Sequence, residues 1–295
     1  LFTGLDDSGK TSIILAIQRE LSLISLLKPT RHAQRKIFQY LDRKISEWDL
    51  GGQKRYRIAY LREPSKYFAS TSVCVYTIDM QDKRRIQESL SYLGDVVNQF
   101  KKLGISPLLY IFFHKLDPDY AKEQGVHLTG FISELKDTIR KIAKDEFPVT
   151  FMQTSIYDLW SIINAFSRIL LQLYPQSELL DKTITQFVEK VHAKGALVLD
   201  SNSLVIGQHF ENEDVQRILQ NSTAYFLTLA ESLTRTDQMF REMNITRGNH
   251  MFFIGEFKIP KATEPLYIIL MKEKSQPEFS AEEFEAFVKM LQSIL

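Results

Sequence analysis

Cys74 is the only cysteine in 295 residues, so no disulfide can form within the chain, which suits a reducing compartment. It sits inside Val73-Cys74-Val75-Tyr76, where it reads as a small buried hydrophobe of a strand. An excess of either charge is also missing. Lys and Arg number 37 against 36 Asp and Glu, a net charge of +1, which argues neither for a nucleic-acid binder nor for a polybasic membrane anchor. No window approaches the ~18 apolar residues of a spanning helix, and no signal peptide, internal repeat or low-complexity tract is visible. His32, His114, His127, His192, His209 and His250 lack ligand spacing, which argues against a histidine-based metal site. What is present is a 44% hydrophobic, 25% charged composition, that of a globular protein long enough for two domains.

The first informative segment comes almost at once. Gly4-Leu5-Asp6-Asp7-Ser8-Gly9-Lys10-Thr11 fits G-x-x-x-x-G-K-[ST] and is followed by Ser12. Glycines let the backbone curl so that its N–H groups, with those of Asp6, Asp7 and Ser8, face inward around phosphate oxygens at a helix N-terminus. Lys10 can then reach the β- and γ-phosphates, and the Thr11 hydroxyl can hold Mg²⁺. The spacing of Ile13, Ile14, Ala16, Ile17, Leu21 and Ile24 predicts one helix after the loop. Only Leu1-Phe2-Thr3 precede the loop where a complete buried strand is expected, so residues are expected upstream.

Further along, 36–40 and 44–48 read as strands around the turn Leu41-Asp42-Arg43. The apolar runs 73–78, 108–113 and 147–152 read as strands covered on both faces, with helices at 84–103, 130–146 and 159–173 between and after them. This predicts a mixed, mostly parallel sheet with helices on both faces, ligands lying at the carboxyl ends of its strands. Pro175 ends a helix and Ser177 can cap the next, which carries Leu180, Ile184, Phe187, Val188 and Val191. Then come strands at 196–199 and 204–207, and a long helix with Val215, Ile218, Leu219, Phe226, Leu229 and Leu233 on one side. Strands near 251–258 and 266–271 precede a helix opened by the capping box Ser280-x-x-Glu283. The order α-β-β-α-β-β-α predicts a separate α+β domain, so the chain divides into 1–176 and 177–295.

Three more segments match the first. Asp49 in Trp48-Asp49-Leu50-Gly51-Gly52-Gln53 can hold Mg²⁺ through water, Gly52 can bring an N–H to a γ-phosphate, and Gln53 can orient an attacking water. Thr30 in Pro29-Thr30 offers a second hydroxyl to the metal. His114-Lys115-Leu116-Asp117 follows a strand, where Asp117 can accept both N–H donors of a guanine edge and the Lys115 stem can lie over the base. After the next strand, Thr154-Ser155-Ile156 can offer a backbone N–H to the guanine carbonyl, which adds Ser155 and Ile156 to the site.

The first domain thus resembles a P-loop small GTPase. Gly4-Leu5-Asp6, Pro29-Thr30 and Trp48 to Gln53 are similar to the Arf family, and the spacing of Thr30 from Asp49 suits it. His114 in place of the usual asparagine, Thr154-Ser155-Ile156-Tyr157-Asp158, Ala165-Phe166-Ser167 and Leu173-Tyr174-Pro175 resemble the Rag/Gtr GTPases. The element order of 177–295 resembles the roadblock (longin-related) domain. Rag proteins usually carry proline where Gly51 stands, a departure toward Arf.

The resemblance implies a cytoplasmic GTP/GDP switch, with recruitment to the cytosolic face of a membrane only indirect or through residues upstream. Its cofactors would be GTP or GDP and Mg²⁺, held by Thr11, Thr30 and, through water, Asp49, with Lys10 and Gln53 catalytic. Partners would be a GAP, an exchange factor, and a second copy or a related GTPase paired through 177–295. Leu27 stands three residues before Thr30, where a cis arginine would act. Arg31 and Arg35 do not occupy that position, so no arginine finger is expected and turnover should be slow. The alternatives are an Arf-like trafficking GTPase, a constitutively nucleotide-bound scaffold, and an ATP-using kinase, against which Asp117 argues.

Overall fold

The computed structural model describes residues 1–18, 20–40, 43–144, 146–174, 176–234, 242–260, 264–277 and 279–295. Two compact units emerge: one from Leu1–Phe38 and Lys44–Ala165, the other chiefly from Phe166–Leu295.

The first unit is built on a six-stranded sheet. Its strands are β1 (Phe2–Gly4), β2 (Ala33–Tyr40), β3 (Arg43–Leu50), β4 (Val73–Asp79), β5 (Leu108–His114) and β6 (Val149–Thr154). They lie in the order β2-β3-β1-β4-β5-β6. β1 pairs in parallel with β3 and β4, β4 with β5, and β5 with β6. Parallel strands need helical crossovers, which cover both faces and bury nearly every side chain of β4 and β5. That is why these segments appear as unbroken apolar runs.

The helices are α1 (Lys10–Ile17), α2 (Lys54–Arg62), α3 (Pro64–Tyr67), α4 (Ile86–Leu103) and α5 (Pro118–Ala143), and α6 (Leu159–Leu173) begins in the first unit and ends in the second. The core gathers Phe68, Tyr76, Leu93, Phe100, Phe113 and Ile139, each at most 0% exposed. Register then decides where chemistry sits. Phe2 lies opposite Asp49, Gly4 opposite Thr77, and His114 between Asp79 and Thr154. The carboxyl ends of β1, β3, β4, β5 and β6 therefore open on one edge of the sheet.

Several sequence expectations change here. The first helix stops at Ile17, and Leu21–Leu26 form a separate 3-10 helix. Ile24 therefore does not extend the face of α1, because the chain leaves the core and exposes Leu23 and Leu26. The helix expected at 130–146 runs from Pro118 to Ala143, with non-helical backbone at Gly125. Phe147 precedes β6 rather than opening it. The helices α2 and α3 were not anticipated. Residues 41 and 42 of the expected hairpin turn lie outside the described residues, as does Pro175.

The second unit holds a five-stranded sheet in the order β8-β7-β11-β10-β9. Its elements are α7 (Ser177–Lys190), β7 (Gly195–Leu199), β8 (Val205–Phe210), α8 (Glu213–Thr234), β9 (Glu242–Arg247), β10 (His250–Phe257), β11 (Leu266–Glu273) and α9 (Ala281–Ile294). Every pairing is antiparallel. Side chains alternate across a strand, so register assigns faces. Gly207 and Gly255 share one face through Val198 and Ile268, and Gly195 lies on the other. The first two sit against Ile184 of α7 and Phe284 of α9, and Gly195 against Val215 and Leu219 of α8. Helices thus cover both faces, α7 and α9 on one and α8 on the other. Phe187 stacks on Phe287 at 4.1 Å between α7 and α9.

The capping box forms as expected: Glu283 N donates to Ser280 Oγ (3.2 Å), and Ser280 N to Glu283 Oε2 (3.0 Å). Ser177 does not cap α7; it is the first helical residue, preceded by Gln176 with no side-chain cap. The strand β9 was missed, which lengthens the element order to α-β-β-α-β-β-β-α. Leu229 is exposed rather than facing the sheet, and the Leu233 side chain lies outside the described residues.

Candidate nucleotide site

The backbone from Gly4 to Gly9 turns back on itself through φ values open to few residues: 141° at Gly4, 59° at Asp7 and 89° at Gly9. Space is as restrictive as angle. A methyl on Gly4 would stand 2.5 Å from the Thr77 carbonyl, and one on Gly9 2.3 Å from the His114 ring. The loop is pinned by Ser8 Oγ, which donates to Leu5 O at 2.9 Å. Lys10 folds back over it, its Nζ donating to Leu5 O (2.6 Å), Ser8 Oγ (3.3 Å) and Gly4 O (3.4 Å). Burial pushes the Lys10 ammonium down to about 8, against the upward pull of Asp49, Asp6 and Asp7.

Three oxygens meet beside the lysine. Thr11 Oγ1 donates to Asp49 Oδ2 at 2.7 Å and lies 2.7 Å from Thr30 Oγ1, itself 3.5 Å from Asp49 Oδ2. The other Asp49 oxygen, Oδ1, is buried with no hydrogen-bond partner among the described residues. An orphaned buried carboxylate oxygen next to two hydroxyls is hard-cation chemistry, and the donor set fits Mg²⁺.

Gly52 closes the next segment onto the loop, since a methyl there would stand 2.1 Å from Asp6 N. Gly51 is equally tight, a methyl falling 2.6 Å from Thr30 O. Gln53 stands at the N-terminal cap of α2 and lines a cleft of about 370 Å³ with Asp6, Asp7, Gly9, Lys10, Thr11, Ser12, Leu27, Thr30, Gly52 and Lys115. Arg35 does not reach that cleft; it donates to Ser46 Oγ (2.8 Å) and lies 5.8 Å over the Trp48 ring.

The residues expected to read a base lie at the ends of β5 and β6. His114, 1% exposed, bonds Thr154 Oγ1 through Nδ1 at 2.9 Å. Burial, then Lys115, depresses it to about 4, so it is neutral at pH 7 and joins β6 to the phosphate loop through Gly9. Asp117 accepts Ser155 Oγ on Oδ1 (2.5 Å) and Gln81 Nε2 on Oδ2 (2.7 Å). Ser155 N donates to Ser161 Oγ at 3.0 Å, so the N–H that this turn leaves for a carbonyl is that of Ile156.

Sequence reasoning missed Asp79, Gln81, Ser161 and Arg57. Asp79 fixes the Lys115 ammonium at 2.7 Å and accepts the Gln81 N–H at 2.9 Å. Its place at the carboxyl end of β4, matching those of Asp49 and His114, was the signal available. Gln81 acts across 36 residues and leaves no local pattern, whereas Ser161 lies six residues after Ser155 and marks no motif.

A family model described as the Gtr1/RagA G protein conserved region matches residues 1–231. The chain belongs to the Gtr1/RagA G-protein family. It is also similar to ADP-ribosylation factor-like protein 3 of Chlamydomonas reinhardtii, 32% identical over 163 residues, 55% of this chain and 76% of that one. Among solved structures it is similar to the Arl6 BBS3 small GTPase of Trypanosoma brucei with bound nucleotide analogue GppNp. That likeness has 16% identity, covers 57% of this chain and 92% of that one, and has a TM-score of 0.43. Another is Myxococcus xanthus MglB, with 10% identity, coverage of 41% and 90%, and a TM-score of 0.33. Both sequence resemblances, Rag/Gtr and Arf, hold. A Gtr1/RagA G protein is a guanine-nucleotide-binding small GTPase, and the mixed, mostly parallel sheet of the first unit fits a P-loop GTPase domain. Among the described residues no helix is long and apolar enough to cross a membrane.

Proposed function

We propose that this G protein is a Mg²⁺-dependent GTP/GDP switch of Rag/Gtr type with slow intrinsic hydrolysis. The observation that carries the reading is the meeting of Thr11, Thr30 and Asp49 within 3.5 Å beside a buried lysine, on a cleft that also holds Gln53. Thr11 and Thr30 would hold Mg²⁺ directly and Asp49 through water; bound there, the metal neutralises charge on the phosphates. Lys10 leaves the loop carbonyls for phosphate oxygens, and the N–H groups of Asp6, Asp7, Ser8, Gly9 and Ser12 complete the cradle. Gln53 orients the water. Asp117 and the Ile156 N–H select guanine, with Lys115 along the base. Among the described residues no arginine lines the cleft, so a GAP is expected to accelerate turnover.

In a filter-binding competition, GTP should displace labelled GTP at least ~100-fold better than ATP does. Single-turnover hydrolysis should be slow, and Gln53→Leu should lower it a further ~100-fold at unchanged affinity. Equal competition by ATP would remove the guanine assignment. Hydrolysis unaffected by Gln53→Leu would remove that residue from the mechanism.

The second unit, taken as a roadblock-like domain over 177–295, would pair with itself or with a related GTPase, placing the switch in nutrient or membrane-associated signalling. The exposed edge strand β9 and the exposed Tyr225 and Leu229 of α8 support a pairing surface. Light scattering at micromolar concentration should give twice the monomer mass if the partner is a second copy. A monomer would leave a related chain as the partner.

A further inference from the structure

Arg57 of α2 is only 7% exposed and faces three groups, one in the segment before its own helix and two on α4. Its Nε donates to the Gly52 carbonyl at 2.8 Å, a terminal nitrogen pairs with the Glu88 carboxylate of α4, and its plane lies 5.0 Å over the Tyr92 ring. Glu88 is held in turn by Arg85 Nε at 3.0 Å, and Arg85 reaches Asp6 Oδ1 at 2.8 Å. The chain of ionic contacts leaves the switch segment at Gly52 and re-enters the phosphate loop at Asp6. These ends also touch directly, because Gly52 lies against the Asp6 backbone.

A buried guanidinium needs such partners, but the partners it has chosen are informative. Its donors are fixed in one plane, so one bond to Gly52 O and another to Glu88 define both the position and the tilt of the acceptor. The peptide that joins Gly52 to Gln53 is planar, so fixing its carbonyl fixes the Gln53 N–H and the direction in which Gln53 departs. We propose that Arg57 is a positioning residue for hydrolysis: through Gly52 it holds Gly52 and Gln53 where they serve the terminal phosphate, and Glu88, Arg85 and Asp6 tie that position to the phosphate loop. This rests on the switch reading given above.

The two are separable because Gly52 and Gln53 concern only the third phosphate. Arg57→Ala should weaken binding of a non-hydrolysable GTP analogue about tenfold, the size of one charged hydrogen bond, while GDP affinity stays within about twofold. Single-turnover hydrolysis of GTP should fall at least about tenfold. Arg57→Lys should not restore either, lacking the fork. Glu88→Gln, which keeps the shape and removes the charge, should move the analogue-to-GDP ratio in the same direction and serves if Arg57→Ala fails to fold. Equal losses for analogue and GDP, or no loss with either variant, would overturn the proposal, since a structural role predicts no change in the ratio. If wild-type protein hydrolyses nothing, the switch reading fails while that ratio still tests Arg57. If it binds no guanine nucleotide, both fall together.

Discussion

Replacing Lys10 with alanine should lower affinity for GTP by about 10²- to 10³-fold, the loss of two charge-assisted hydrogen bonds in a site closed to water. The structure adds a signature that a surface lysine would lack. Lys10 is 4% exposed, and burial has already lowered it from 10.5 to about 8. Bound phosphates stabilise the ammonium, so the nucleotide complex retains its proton to higher pH than the free protein. Below pH 8 both states carry the proton and affinity is flat. Above it the free protein loses the proton, binding must take one up, and affinity should fall by up to about tenfold per unit. Fluorescent-nucleotide titrations at pH 7, 8 and 9 measure this, and the slope should vanish in Lys10→Ala. Stability of the free protein runs the other way. Between about 8 and 10.5 the unfolded chain binds the extra proton, so the same lysine makes the fold more stable as pH rises through that window. A flat wild-type affinity across pH 8 to 9 would mean that Lys10 does not pair with phosphate.

Much of this site was legible in the sequence because each of its segments follows a strand end. Parallel strands covered on both faces leave apolar runs such as Val73–Ile78, and whatever polar residue closes the run is at the binding edge. Asp49 and His114 were found by that rule; Asp79, which obeys it too, was passed over because no motif marks it. The switch helix α2 escaped for a different reason. In Lys54–Arg62 the buried residues are Tyr56, Arg57 and Tyr60, and the buried cation masks the apolar face. The edge strand β9, Glu-Met-Asn-Ile-Thr-Arg, is exposed on alternate residues and offers no core stripe to detect. The first helix was overextended because Leu21 and Ile24 continue its period after the backbone has left it. The contact between Arg85 and Asp6 spans 79 residues. No window-based reading reaches that far, which is why the positioning network emerged only from the fold.

Asp117→Asn should turn the preference from guanine to xanthine nucleotides, with GTP affinity falling about 10³-fold and xanthosine triphosphate gaining by a smaller factor. A carboxylate is an acceptor only, with about four lone-pair sites. Ser155 takes one on Oδ1 and Gln81 one on Oδ2, which leaves an acceptor on each oxygen for the paired N1–H and amino donors of guanine. In the asparagine variant Ser155 keeps the amide oxygen as its acceptor, and the NH₂ group turns to the side of Oδ2. That group opposes the guanine amino donor and suits the carbonyl that xanthine carries at the same carbon. It also opposes Gln81 Nε2, which must rotate to present Oε1 and give up its 2.9 Å bond to the Lys115 carbonyl. The single variant should therefore gain less for xanthine than it loses for guanine. Adding Gln81→Ala should recover part of the difference, because the opposing donor is gone. Competition between the two triphosphates, measured on wild type, the single and the double variant, separates these effects. An Asp117→Asn protein that still prefers GTP within a few-fold of wild type would mean that this carboxylate does not read the base, and that its bonds to Ser155 and Gln81 serve only to close the end of the sheet.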